Sequence, residues 1–161
     1  MSVRRMLPVL AGLAILNSAC FSEPVTRPDR SRFDARLLGE WDCSSTVESS
    51  DDRALLTVVK FDAGQYYAEW REDEKLERYR AYPGALKGLA ILNVTELSEP
   101  ADRYWTAVRT SFSADGSMSL ALPATRITDM TDDDVRLRTF RREADQPTAW
   151  QVFARCVPHK G

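Results

Sequence analysis

The residues of this chain that could carry chemistry are three cysteines, one histidine, a run of carboxylates and a few arginines. His159 lies in the tail beyond the last strand, a poor seat for a general base. Asp132, Asp133 and Asp134 supply adjacent carboxylates, but consecutive residues splay around a helix axis, and the calcium-loop spacing D-x-[DN]-x-[DN]-G is missing. That run reads as a solvated helix start. Arg78, Arg80 and Arg109 would bind an anion only if they converged; charges on the solvent face of strands are the plainer reading. Asn93-Val94-Thr95 has the form of a glycosylation sequon, yet it stands inside the most apolar strand. The sequence contains no G-x-S-x-G, H-E-x-x-H or phosphate-cradling G-x-x-x-x-G-K. No catalytic residue, metal site or cofactor is therefore expected. With 22 basic against 24 acidic side chains there is no positive excess to neutralise a run of phosphates, so nucleic acid is excluded as the expected partner.

The odd cysteine count asks for two different uses. Cys20 follows a three-part leader: Arg4 and Arg5, the ten-residue apolar stretch Leu7 to Leu16, then Asn17-Ser18-Ala19. Ten residues at about 1.5 Å each fall short of the ~30 Å hydrocarbon core, but they suit the apolar region of a secretory signal. Leu16-Asn17-Ser18-Ala19-Cys20 resembles the lipobox of bacterial lipoproteins, matching at Ser18, Ala19 and Cys20 and departing at Asn17, where that family prefers Leu. Ordinary signal cleavage after Ala19 is the alternative. The resemblance implies a lipid on Cys20 and attachment to the bacterial cell envelope. Because Phe21 is not Asp, it also implies the outer membrane, facing the periplasm. Loss of residues 1–19 removes two arginines and shifts the net charge from −2 to −4. Acyl chains, not headgroup attraction, would then hold the protein at the membrane.

The chain divides into a signal peptide (1–19), a lipidated Cys with a flexible tether (20–36), a folded domain (37–157) and a short tail (158–161). The tether assignment rests on Pro24, Pro28, serine and charges without periodicity. Beyond it, short alternating segments with turn signals between them announce strands. They are Leu37–Val47, Ala54–Asp62, Gln65–Arg71, Leu76–Tyr82 as an edge strand, Gly88–Leu97 buried on both faces, Tyr104–Ser113, Ser117–Leu122 and Trp150–Val157. Leu55, Thr57, Val59 and Phe61 share one face; Trp150, Val152, Ala154 and Cys156 share another. Asp62-Ala63-Gly64, Pro83-Gly84 and Asp115-Gly116 mark turns. One helix is expected from Thr131 as its cap, with Leu137, Phe140 and Ala144 as its buried stripe and late arginines matching the helix dipole. A strand over Val135–Arg141 competes with it. Seven or eight antiparallel strands suit a small barrel or a sandwich.

In an up-and-down barrel the first and last strands are neighbours, which places Cys43 and Cys156 where a disulfide would staple the seam. Leu38-Gly39-Glu40-Trp41 is similar to the G-x-W opening of lipocalin and calycin barrels. The wider pattern resembles small envelope lipoproteins that carry G-x-W-x-C (Gly39, Trp41, Cys43), an apolar strand like Leu89–Leu97 and a Cys-bearing last strand. No T-D-Y element is present, and Arg155, near the place of the arginine that caps the Trp in lipocalins, lies opposite Cys156. The resemblance implies a mainly β, lipocalin-like antiparallel up-and-down barrel with one helix before the last strand. Trp41, Tyr66, Trp70, Tyr104, Phe112 and Trp150 fall on candidate inward faces, where they fill a core or line a cavity. The functional expectation is a lipid-anchored, non-catalytic binding or interaction module whose partner is a small apolar ligand or another envelope protein. The alternatives are a carrier of a small hydrophobic ligand and an enzyme with an unrecognised site.

Overall fold

The computed structural model describes residues 20–46, 52–97 and 104–161. The expected signal peptide and Val47 lie outside the described residues. Eight strands follow one another: β1 (Gly39–Ser45), β2 (Arg53–Asp62), β3 (Gln65–Glu72), β4 (Lys75–Leu86), β5 (Leu89–Glu96), β6 (Trp105–Phe112), β7 (Met118–Pro123) and β8 (Trp150–Pro158). They form a closed barrel in sequence order, each strand antiparallel to the next, with β8 returning to β1. Between β7 and β8 lie a one-turn helix α1 (Thr125–Thr128) and the longer α2 (Asp133–Glu143). Asp132, not Thr131, caps α2, its carboxylate accepting from Val135 N at 2.9 Å. Helix wins over strand here because Leu137, Phe140 and Ala144 are all buried on one side, as a helical repeat requires.

Trp41, Cys43, Leu56, Val58, Tyr66, Met118, Leu120 and Cys156 meet in the interior. Cys43 stands directly opposite Cys156 in the β1–β8 register, and the two form a disulfide with Cα atoms 4.0 Å apart. The end of the barrel that holds the β2–β3, β4–β5 and β6–β7 turns is plugged by two 3₁₀ turns, Arg30–Arg32 and Ala35–Leu37. Asp29 caps the first through Ser31 N and Asp34 the second through Arg36 N. Phe33 stacks on Tyr66 at 4.5 Å, and the Tyr66 hydroxyl accepts from Asp34 N at 2.7 Å. Gly39 enters β1 at φ +130°, a conformation that side chains rarely adopt, so the glycine of G-x-W is set by the backbone. The Trp that follows donates its indole N–H to Leu37 O at 3.1 Å.

The face of β2 that carries Val59 and Phe61 looks outward, since Ala54, Leu56 and Val58 are the buried set. A register shift at Phe61 helps turn that ring out beneath the Arg80 guanidinium. Leu76–Tyr82 is no edge, because β4 pairs with β3 on one side and β5 on the other. Pro83-Gly84 is no turn either; both residues continue β4 opposite Leu92 and Ile91. Pro83 fits because β3 pairing has ended by Ala81, so its missing N–H faces a side where no ladder bond is needed. Residues 20–36 are not a free tether. Phe21 and Val25 are buried, Asp29 N donates to Pro83 O at 2.8 Å, and Thr26 and Asn93 exchange two hydrogen bonds. A Cβ on Gly84 would stand 1.9 Å from Thr26 Oγ1 and 3.0 Å from Arg27 O. The glycine therefore makes room for the N-terminal segment rather than for a turn.

The seam disulfide closes a 113-residue separation, for which the chain-entropy argument gives about 4–5 kcal/mol as an upper figure. Paired Cys43→Ala and Cys156→Ala changes should lower the urea-measured unfolding free energy by up to that amount. An unchanged midpoint would mean that strand pairing alone holds the seam.

Candidate functional site

The six aromatic residues expected to face inward separate into four environments. Trp41, Tyr66 and Phe112 belong to the plugged end, with the Trp41 and Phe112 rings 6.1 Å apart. Trp70 lies toward the other end, 6.2 Å from Phe153. Trp150 leaves the barrel: its ring meets Phe140 edge-on at 5.0 Å and its N–H reaches Ala144 O at 2.7 Å, outside the wall. A register shift between Leu120 and Ala121 inserts Phe153 into β8, so residues before it change face. Phe153 takes the inward position, and Val152, expected to share a face with Ala154 and Cys156, is exposed. Tyr104 is 56% exposed, because it precedes β6 at the rim, where no strand covers it.

The candidate site is the inner wall toward the end that holds the β3–β4 and β5–β6 connections. Trp70, Leu92, Val94 and Phe153 face inward there against the core, yet each is only partly buried. Among them sits Glu77, 6% exposed and paired with Trp70 across the β3–β4 ladder. Its carboxylate accepts from the Tyr79 hydroxyl at 2.6 Å and meets Lys75 Nζ at 3.1 Å. Burial, followed by that hydrogen bond and the charge of Glu77, raises the Tyr79 phenol well above the usual tyrosine range, so it stays a donor at neutral pH. Apolar walls around one oriented carboxylate form the pattern of a small-molecule site. Residue spacing does not single out Glu77 and Tyr79, although they share the inward phase of Ala81. The signal was masked by the charges of Arg78 and Arg80 between them.

The other candidates do not assemble. Arg78 pairs with Glu69 at 3.4 Å and Arg80 bonds Gln65, each on the outer face. Asp132 is spent on its helix cap, and Asp133 accepts from Ser22 N at 3.1 Å and pairs with Arg136. Among the described residues no group of three or more His, Cys, Asp or Glu is placed to hold a metal ion. His159 is not loose: its amide donates to Glu40 O, and its ring nitrogen lies 2.9 Å from Asp42 on the barrel exterior. Asn93 is fully buried by its bonds to Thr26, which gives the sequon a structural role. On the outer wall a groove of about 840 Å³ runs between residues 23–29 and Tyr82, Ala85 and Leu86 of β4.

The outward faces of β3 and β4 carry Gln65, Glu69, Arg71, Arg78 and Arg80, while the interior, Glu77 and its partners apart, is mainly apolar. That is the inverse of a membrane-spanning barrel, whose outer band is apolar. The fold defines a closed β-barrel with one apolar core inside it and a second against its outer wall. No protein-family profile, curated protein or solved structure matches the chain.

Tyr79 predicts a pH profile. Its folded value lies above the ordinary 10, so its stabilisation is complete below about pH 10 and is lost as pH rises, while the unfolded phenol ionises and the folded one does not. Urea unfolding should show stability falling above that pH, with up to about 1.4 kcal/mol per pH unit from this group. Tyr79→Phe should make the fall shallower; an identical profile would contradict the assignment.

Proposed function

We propose that the chain is a lipid-anchored protein of a bacterial cell envelope whose barrel is a non-catalytic binding or interaction module. In this reading Cys20 carries the lipid, and the protein is held at the outer membrane, facing the periplasm. The observation that carries the reading is the place of Cys20. It follows directly on the apolar stretch Leu7 to Leu16 and the small residues Ser18 and Ala19, and it stands immediately before Phe21, the first buried residue of the described fold. The Cys43–Cys156 bond supports an oxidising compartment.

A second reading, carriage of a small hydrophobic ligand inside the barrel, is favoured by the partly buried inward residues Trp70, Leu92, Val94 and Phe153. Glu77 would orient a ligand that has one polar end. The carboxylate is already taken by Lys75 and Tyr79, which suits recognition better than proton transfer.

Growth with a radioactive fatty acid should label the wild type and leave Cys20→Ala unlabelled. Label on both would remove the anchor. Native mass spectrometry of protein purified from its own host distinguishes the two readings: a bound lipid-sized mass would establish the carrier, and its absence the interaction module.

A further inference from the structure

We propose that the end of the barrel around Cys20 lies flat on the lipid surface, so that the anchor sets the orientation of the domain as well as its location. The inference rests on the attachment at Cys20 and goes beyond it, because a lipid on a flexible tether would leave the barrel free to tumble.

The N-terminal segment leaves no slack. Phe21 pairs with Trp105 of β6 through both backbone hydrogen bonds, N–H to O at 2.6 and 2.8 Å, and its side chain is fully buried. That ring packs on Phe140 at 5.4 Å and lies under the Arg136 guanidinium. Ser22 N is held by Asp133. Arg141 then clamps the next three residues, donating to Val25 O at 3.0 Å and Pro24 O at 3.1 Å and pairing with Glu23 at 3.0 Å. Thr26 and Asp29 are tied to Asn93 on β5 and Pro83 on β4, respectively. Only Cys20 itself separates the membrane from a residue locked into the fold.

The surroundings of Cys20 fit a lipid surface. Leu97, 43% exposed, follows the last residue of β5 and donates its N–H to Arg78 O at 2.8 Å. Tyr104 adjoins Trp105 and is more exposed still. Val135, 40% exposed, precedes Arg136, whose guanidinium lies over the Phe21 ring. Leu97, Tyr104 and Val135 thus leave two aliphatic side chains and a tyrosine exposed toward the end of the barrel where Phe21 is locked against Trp105, and tyrosine favours headgroup depth. Asp132, Asp133 and Asp134 lie close by, so no preference for anionic headgroups is expected.

The test uses the full-length, lipid-bearing protein in vesicles of phosphatidylethanolamine and phosphatidylglycerol. An environment-sensitive fluorophore is attached in turn to Leu97→Cys, Val135→Cys and Phe61→Cys; Phe61 lies at the plugged end. The expected result is a blue shift at positions 97 and 135 on vesicle binding and none at 61. In the Gly84→Ala background, where the segment is displaced, the protein should still sediment with vesicles but lose both shifts. Arg141→Ala, which frees residues 23–25 without touching the barrel, should weaken them in the same way. Sedimentation with no shift at any position would overturn the orientation while leaving the anchor intact. Failure to sediment would overturn the attachment and the orientation with it.

Discussion

β5 has to be covered on both faces, and the architecture follows from that requirement. Leu92 and Val94 point into the barrel while Ile91, Asn93 and Thr95, on the other side of the same strand, are buried as well. An apolar strand of this kind is stable only between two layers. The inner layer is supplied by closing the sheet on itself. The outer one is supplied by α2, through Leu137, Phe140 and Ala144, and by Phe21 and Val25 of the N-terminal segment. The second cluster is therefore a small core outside the barrel. Lys87 at the β4–β5 turn ties the far end of α2 to the wall by bonding Asp145 at 3.0 Å and Arg142 O.

The same closure divides the interior. At one end two capped 3₁₀ turns, Phe33 on Tyr66, and Trp41 held by Leu37 fill the lumen. At the other, the inward side chains are less completely covered, and Glu77 is buried among them with both of its partners on its own strand. A carboxylate in such a place is tolerated only because Lys75 and Tyr79 satisfy it. Strand pairing and the Cys43–Cys156 bond hold the two ends to one circumference.

Much of this was legible in residue spacing. The alternation of Tyr66, Ala68 and Trp70, the turn residues near 62–64 and 115–116, the apolar run of β5 and the stripe of α2 are local patterns with local causes. The places where spacing misleads are those decided by contacts distant in sequence. Pro83-Gly84 has the composition of a turn, and only the passage of Thr26 and Arg27 across β4 explains why a strand needs that glycine. Residues 21–34 have the composition of a linker, yet two apolar side chains among the prolines and charges, Phe21 and Val25, are enough to dock the segment once a complementary wall exists. Alternation through Trp150, Val152 and Ala154 fails because one inserted residue, Phe153, reverses the phase, and a bulge has no signature in a run of β-formers.

Residues 20–29 belong to the fold as the outer cover of β5. Hydrogen exchange at single amides in the disulfide-intact, full-length chain tests it most directly. Phe21 and Asp29, whose N–H groups donate to Trp105 O and Pro83 O, should exchange with opening free energies close to those of the β5 amides they cover. Exchange at those two amides as fast as in an unstructured peptide, with β5 still protected, would mean that the segment is not part of the fold.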